Sequence, residues 1–408
     1  MTQDLRPHRR HLAVLLATAL LLTAVLAAFN AWVDPYGITR RQGMPTAGLP
    51  EVTWSRISAA ERMADPSCDV VIIGSSRGVY GFGTRPIDRL GQRLCNGSLG
   101  GTSMRELREV ARFVARESPA ERMILLADMA LFHDGRGMMH DYAQSRFNTA
   151  RTPTTFALWS LTSLSALEDS FATLGVRTPF FDPPPARLPD VQRNRRTVRV
   201  TLGLPRILRA FEGPDLTLDL LREVLDEAEA RGMQVTLVLP AMHAMEFELY
   251  DTAGMWRQHK QWRLWLVQEA AARGLELWDF ATYHPPARTK LPLAPDEPSN
   301  PWFVDITHQS MLLGELTLDR LFPEPGDATA WDPRFGVRVT PDNVAAHLAD
   351  LDAGRAQWHA EQPADLAWYE ATVRETFARD PAIVGDLART AATMGQRLPP
   401  LPPGADAR

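Results

Sequence analysis

The residues best suited to chemistry stand in two short segments that are far apart in the chain. Ser75 and Ser76 follow Gly74 at the end of an apolar run, and Asp305 and His308 form an Asp-x-x-His pattern much later. A serine nucleophile needs a base to take its proton, and the base needs a carboxylate to orient it. Because Gly-Ser-Ser after a strand is more often a turn and helix cap, the order of the segments carries more weight than either alone. The pair indicates nucleophilic acyl chemistry.

Acyl chemistry also needs backbone N–H donors where negative charge develops on the carbonyl oxygen. A glycine-rich run, residues 96–101, offers such donors after the second predicted strand. Asp128 follows the third predicted strand, and His243 comes soon after the fourth. For His243 two readings stay open, contact with a substrate or a hydrogen bond to a loop carbonyl.

These segments stand at the ends of short apolar strands that alternate with helices. The alternation predicts an α/β fold, with a parallel sheet and helices on both of its faces. Ligands bind beyond the carboxyl ends of the strands in such a sheet, which is the edge where the candidate residues stand. The predicted strands are residues 70–73, 93–96, 123–126, 234–239 and 275–278.

Caps and one-sided apolar patterns predict the helices. Ser103 and Glu106 read as an S-x-x-E capping box, and Gly232 and Gly274 end two later helices. The helix after Ser103 has its apolar face at Leu107, Val110, Ala111 and Val114. The other predicted helices are residues 216–231, 256–273, 310–321, 344–355 and 365–377.

On these segments the sequence resembles the SGNH/GDSL hydrolase superfamily. Its strand–Gly-Asp-Ser block is similar to residues 70–76, with Ser75 in place of the aspartate, and its Asp-x-x-His block matches the segment that ends at His308. Its N-x-G-x-x-G block is similar to residues 96–101, with Ser98 in place of the first glycine. The resemblance spans residues 67–322. It is closest to a membrane-anchored branch that includes proteins of D-alanine transfer to teichoic acids and of alginate-type polysaccharide O-acetylation.

The resemblance implies a three-layer α/β/α fold and assigns roles to the residues. Ser76, rather than Ser75, would attack the acyl carbonyl, with His308 as base and Asp305 orienting it. The N–H groups of Ser76 and of Ser98 or Gly101 would hold the oxyanion. This chemistry needs neither a metal nor an organic cofactor. The residues expected to support the site or the substrate are Arg77, Asn96, Asp128 and His243.

Asp128 departs from the superfamily, whose third block supplies an asparagine as an oxyanion donor. An ionised carboxylate only accepts hydrogen bonds, so it cannot do that work. An ion pair with Arg77 would give Asp128 a structural role, and the alternatives are a protonated Asp128 or a reduced oxyanion hole. The departure leaves open a transferase or a weakened enzyme.

An uncharged run of 18 residues begins at Leu12 and ends at Phe29, and with its apolar flank it reaches the ~20 residues that cross a bilayer as a helix. Arginines precede it, and Trp32 stands where an interfacial aromatic belongs. A signal peptide cleaved after Ala27 is the alternative. We expect a single-pass inner-membrane protein whose bulk is periplasmic.

The expected division of the chain starts with a cytoplasmic tail (1–10), an anchor (11–33) and a linker (34–66). An SGNH-like domain (67–322) with an insertion (133–213) follows, and then a helical extension (323–398) and a disordered tail (399–408). The formal net charge of −5 gives no reason to expect a nucleic-acid partner.

Several further residues have a functional and a structural reading. A disulfide between Cys68 and Cys95 is an open alternative in an oxidising compartment. The structural reading is preferred for the rest: a turn cap at Asp279, loop residues rather than metal ligands at His133, Asp134, His140 and Asp141, packing at Trp262 and Trp265, and a solvated loop at Arg193, Arg195 and Arg196.

The expected function is a membrane-anchored extracytoplasmic serine esterase or O-acyltransferase that acts on acyl groups of a cell-surface or exported polysaccharide. The alternative is a catalytically degenerate protein of the same fold that assists a multispan acyltransferase or an export complex. A plain lipase or arylesterase is the third reading.

Overall fold

The computed structural model describes residues 6–38, 55–132, 138–176, 188–203, 216–326, 329–395 and 398–402. The chain divides into two compact units, one formed by residues 1–62 with 141–185 and the other by 63–140 with 186–408. The predicted insertion at 133–213 is therefore shared between the two units.

A seven-stranded sheet forms the centre of the second unit, in the order β2-β3-β1-β4-β5-β6-β7. The five inner strands are parallel to one another, and the two edge strands are antiparallel to their neighbours. The strands are β1 (Val70–Ile73), β2 (Ile87–Arg89), β3 (Gln92–Asn96), β4 (Arg122–Leu126), β5 (Gln234–Leu239), β6 (Glu276–Asp279) and β7 (Val337–Arg338).

The predicted α/β class and mostly parallel sheet are confirmed, and each of the five predicted strands lies within one residue of an observed one. β1 shows why these strands can be recognised: all four residues are fully buried, as in a strand covered on both faces. β2 and β7 were not predicted.

Fourteen α-helices lie in the described residues. α2 and α9 lie where no helix was predicted, and α14 lies in the predicted helical extension beyond its two predicted helices. The helices are α1 (Arg6–Val33), α2 (Arg56–Met63), α3 (Ser76–Phe82), α4 (Met104–Glu117), α5 (Pro153–Thr162), α6 (Leu164–Thr173), α7 (Asp190–Gly203), α8 (Leu216–Ala230), α9 (Ala244–Thr252), α10 (Trp256–Ala272), α11 (Met311–Leu321), α12 (Val344–Glu361), α13 (Pro363–Arg379) and α14 (Ala382–Gly395).

The start of α4 differs from the predicted capping box. The side chain of Ser103 makes no cap bond, and buried Glu106 accepts a hydrogen bond from the Thr102 hydroxyl (2.8 Å). The Ser103 side chain therefore does not supply its half of the predicted box. The apolar face was predicted correctly, since Leu107, Val110, Ala111 and Val114 are all buried.

The predicted disordered tail is packed at its start, because Gln261 of α10 donates to the carbonyl of Pro399 (2.9 Å). Residues 403–408 lie outside the described residues.

α1 is the main element of the first unit, and its residues Arg10–Val33 are long and apolar enough to cross a membrane. α5 and α6 pack against it. Asn30 of α1 donates to the carbonyl of Leu161 (3.0 Å) and accepts from the Ser170 hydroxyl (2.9 Å).

The two cysteines form a disulfide, Cys68–Cys95, with their Cα atoms 5.9 Å apart. Cys68 lies two residues before β1, and Cys95 lies near the end of β3, the strand that pairs with β1. Closing a loop across a separation of 27 residues removes freedom from the unfolded chain, worth about 3.5 kcal/mol in the loop-entropy model.

We expect the Cys68→Ala, Cys95→Ala double variant to lose about 3 kcal/mol of unfolding free energy, because its unfolded chain is no longer cross-linked. Chemical unfolding of the full chain in detergent measures this. The wild type under reducing conditions is the matched control and should fall to the level of the variant. Equal stability of the oxidised and reduced wild type would contradict the expectation.

Candidate active site

Ser75 and Ser76 have different places at the end of β1. Ser75 is the N-cap of α3, and its hydroxyl accepts the Arg77 N–H (3.3 Å). Ser76 is the first residue of the helix, and it is partly exposed. The cap reading of Gly-Ser-Ser therefore applies to Ser75, which leaves the Ser76 hydroxyl to face a base.

Ser76, His308 and Asp305 form one chain of hydrogen bonds. The Ser76 Oγ lies 2.9 Å from His308 Nε2. On the other side of the ring, His308 Nδ1 lies 2.9 Å from Asp305 Oδ2 and 3.0 Å from Oδ1. A neutral imidazole that donates through Nδ1 accepts through Nε2, so this arrangement suits a proton transfer from the serine.

Asp305 is held as an anion by its surroundings. Burial raises the pKa of Asp305, but His308 and the N–H groups of Thr307 (2.8 Å) and His308 (2.9 Å) outweigh burial and lower it below its usual value. The carboxylate thus stays ionised over the range in which a histidine works as a base.

Tyr80 is a site residue that the sequence reasoning missed. It lies one turn after Ser76 on α3, and its ring centroid is 4.4 Å from that of His308. The His308 side chain is 18% exposed, so Tyr80 covers part of the ring without closing the site to solvent. The i+4 spacing from the serine was the available signal.

The three predicted oxyanion donors differ in their surroundings. The Ser76 N–H is in the first turn of α3, where N–H groups have no acceptor within the helix. The Ser98 N–H instead donates to Asn96 Oδ1 (3.0 Å), so it is engaged and does not match its predicted role. Gly101 adopts a positive φ of 66°.

Asn96 has a structural role beside α3. Its side-chain amide donates to the carbonyls of Gly78 (2.8 Å) and Gly83 (2.6 Å). These bonds fix the helix that carries Ser76 to the end of β3.

Arg77 joins the two halves of the site. Its guanidinium makes a two-pronged ion pair with Glu246 of α9, with 2.9 Å between Nη1 and Oε2. Nη1 also donates to the carbonyl of Thr307 (2.8 Å), a residue between Asp305 and His308. Arg77 therefore ties the helix that carries Ser76 to the loop that carries His308.

Asp128 is supported by Ser75 and, more weakly, by Arg77. The Ser75 hydroxyl donates to Asp128 Oδ2 (2.5 Å), and Arg77 Nε lies 3.7 Å from the same oxygen. The predicted Arg77–Asp128 ion pair is thus present, but Glu246 is the closer partner of the arginine. Burial lowers the pKa of Arg77, and the two carboxylates outweigh burial and raise it above its usual value.

The Glu246→Gln variant should lose about 3–5 kcal/mol of stability, because Arg77 would keep a buried charge without its closer anion. The partly exposed pair of Glu223 with Arg108 (3.1 Å) gives a matched control. Glu223→Gln should cost less than about 1 kcal/mol. Chemical unfolding measures both, and equal losses in the two variants would contradict a special role for the buried pair.

His243 is a buried helix cap. Its Nδ1 accepts the Met245 N–H (3.1 Å) at the start of α9, and its Nε2 lies 2.7 Å from the carbonyl of Thr289. Of the two readings, the structure favours the bond to a loop carbonyl. Burial lowers the pKa of His243 to about 4, and the Thr289 carbonyl opposes this.

His243 should make the protein less stable as the pH falls from about 6.5 towards 4. The unfolded state binds a proton on this residue below its ordinary pKa of 6.5, while the folded state resists until about 4. At pH 5 the loss is about 2 kcal/mol, at 1.36 kcal/mol per unit. His243→Asn keeps a capping oxygen. It should flatten the pH dependence of the unfolding free energy, although not fully, because buried His284 acts in the same direction. An unchanged slope would contradict this.

Asp279 and the two tryptophans of α10 make structural contacts. Asp279 is fully buried, accepts the Ala281 N–H (2.7 Å) and pairs with Arg263 and His347 (both 2.8 Å). Trp262 and Trp265 both pack edge-on against Phe132.

Arg193 departs from the solvated-loop reading. It lies on α7, and its Nε donates to the carbonyl of Val304 (3.0 Å), next to Asp305. Arg195 and Arg196 are exposed. Asp141 accepts the backbone N–H of Arg56 (2.9 Å).

In the part of the chain that the structure describes, no group of three or more His, Cys, Asp or Glu side chains could hold a metal ion. His133 and Asp134 lie outside the described residues.

No protein-family model matches the chain. No curated protein matches it significantly.

Proposed function

We propose that the protein is a membrane-anchored, extracytoplasmic serine esterase or O-acyltransferase of the SGNH type, with a three-layer α/β/α core. The observation that carries this proposal is the hydrogen-bonded chain from Ser76 through His308 to Asp305. The disulfide Cys68–Cys95 supports an oxidising compartment, and the apolar helix Arg10–Val33 supports the anchor in the inner membrane.

In the proposed reaction, Ser76 Oγ attacks the carbonyl carbon of an ester while its proton passes to His308 Nε2. The tetrahedral intermediate collapses, and the leaving alcohol takes that proton as the C–O bond breaks. Water or a second hydroxyl then attacks the acyl-serine with His308 as base, and the proton returns to Ser76. The N–H groups of Ser76 and Gly101 are the proposed donors to the oxyanion. No cofactor enters these steps.

The proposed substrate is an O-acyl group of a cell-surface or exported polysaccharide. This part rests on the resemblance of residues 70–76, 96–101 and 305–308 to the membrane-anchored branch of the superfamily. A multispan acyltransferase would be the partner that supplies or receives the acyl group.

A second candidate is a catalytically degenerate protein of the same fold that assists such an acyltransferase or an export complex. Asp128 is the observation in its favour. It stands where the superfamily has a donor, and it is a buried carboxylate that accepts from Ser75. The Ser98 N–H donates to Asn96, and this also favours the degenerate protein.

Labelling of the full-length protein with a fluorophosphonate probe should separate these two candidates. We expect the wild type to react, because His308 is placed to activate Ser76. Ser76→Ala and His308→Ala should each abolish labelling.

Ser75→Ala is the matched control, since it removes the neighbouring hydroxyl. It should weaken the cap of α3 and still be labelled. Labelling lost in Ser75→Ala and kept in Ser76→Ala would move the nucleophile by one residue. A folded wild type that does not react would favour the degenerate protein.

A further inference from the structure

The hairpin of α5 and α6 packs on the part of α1 that approaches the membrane surface. Beginning at Leu12, the ~20 residues that cross a hydrocarbon core of ~30 Å end near Ala31. Phe29 packs against Phe171 of α6, with 5.2 Å between the ring centroids. Since Phe29 lies inside the apolar span, α6 is level with the outermost turn of that span.

Asn30 makes the packing specific. It is only 2% exposed, and both ends of its amide are satisfied by the hairpin, through the Leu161 carbonyl and the Ser170 hydroxyl. A polar side chain in an apolar span is costly unless it finds such partners. The hairpin therefore belongs to the same level of the bilayer as Asn30.

The direction of α5 follows from its contacts with α1. Tyr36 lies beyond the span and stacks on Trp159, with 5.7 Å between the ring centroids, whereas Asn30 bonds to Leu161. α5 therefore ends at the level of Asn30, and Leu158 and Leu164 each lie three residues from Leu161.

Large apolar side chains are exposed on either side of Leu161. Leu158 is 62% exposed, and Leu164, the first residue of α6, is 74% exposed. The leucines of α1 are similarly exposed, as at Leu20 (71%). Glu168 is exposed one turn after Leu164, and its charge limits how far the hairpin can sink.

We propose that the α5–α6 hairpin is an interfacial membrane element, with Leu158 and Leu164 inserted among the lipids at the boundary of headgroups and acyl chains. Amphipathic helices bind bilayers at this depth. The apolar surface is continuous with that of α1, and this continuity selects lipid as the occupant. The inference rests on the membrane anchor of the proposed function but not on its chemistry.

Depth-dependent quenching on the full-length protein tests this. The native cysteines are joined in a disulfide, so a fluorescent maleimide labels a single introduced cysteine. Leu158→Cys and Leu164→Cys report on the hairpin. Thr154→Cys, exposed at the start of α5, is the matched control, and Leu20→Cys reports on the span itself.

In vesicles of phosphatidylethanolamine and phosphatidylglycerol, a spin label near the top of the acyl chains should quench Leu158→Cys and Leu164→Cys several-fold more than Thr154→Cys. Iodide in the water should show the opposite order.

Quenching of the two hairpin sites by iodide alone would overturn the inference and leave a free aqueous face. Shielding from both quenchers would overturn it in favour of a protein partner or a second copy. Loss of lipid quenching at Leu20→Cys would instead overturn the anchor, so the two failures are distinguishable.

Discussion

The buried ion pair between Arg77 and Glu246 holds the candidate site together. Ser76 and His308 come from distant parts of the chain. Arg77 connects them, because it follows Ser76 directly and donates to the Thr307 carbonyl next to His308. Burying an arginine and a carboxylate is costly, and only close geometry with further hydrogen bonds offsets that cost. Here the arginine has two carboxylates and a carbonyl as partners, and these compensate its buried charge.

Close packing around α3 depends on residues without side chains. A Cβ on Gly78 would stand 2.1 Å from the Ser98 hydroxyl, and one on Gly81 would stand 2.1 Å from Gln309 Nε2. The helix of the nucleophile can therefore lie against both the glycine-rich turn and the segment after His308. The glycines therefore allow α3 to approach these two segments closely.

Short sequence patterns predicted the elements that depend on neighbouring residues. The run Val70–Ile73 is recognisable as a buried strand, and the Ser75-Ser76 step as the start of a helix. β7 has only two residues, too few to show a period. Glu246 was missed because nothing near α9 marks it as a partner of Arg77, which is a contact of the tertiary fold. The Ser103 cap was predicted wrongly because the S-x-x-E spacing suits a capping box, while the Ser103 side chain makes no cap bond in the fold.

Asp128 bears on whether the proposed enzyme would favour water or a second hydroxyl. Its Oδ2 accepts from Ser75 and lies 3.7 Å from Arg77 Nε, whereas its buried Oδ1 has no hydrogen-bond partner among the described residues. An ionised Asp128 cannot replace an oxyanion donor. Each such donor is worth about 3 kcal/mol in the transition state. With only backbone donors, both the formation and the hydrolysis of the acyl-serine would be slow. A long-lived acyl-serine disfavours a rapid esterase and favours transfer to a bound acceptor, because an oriented hydroxyl has a large effective concentration over water.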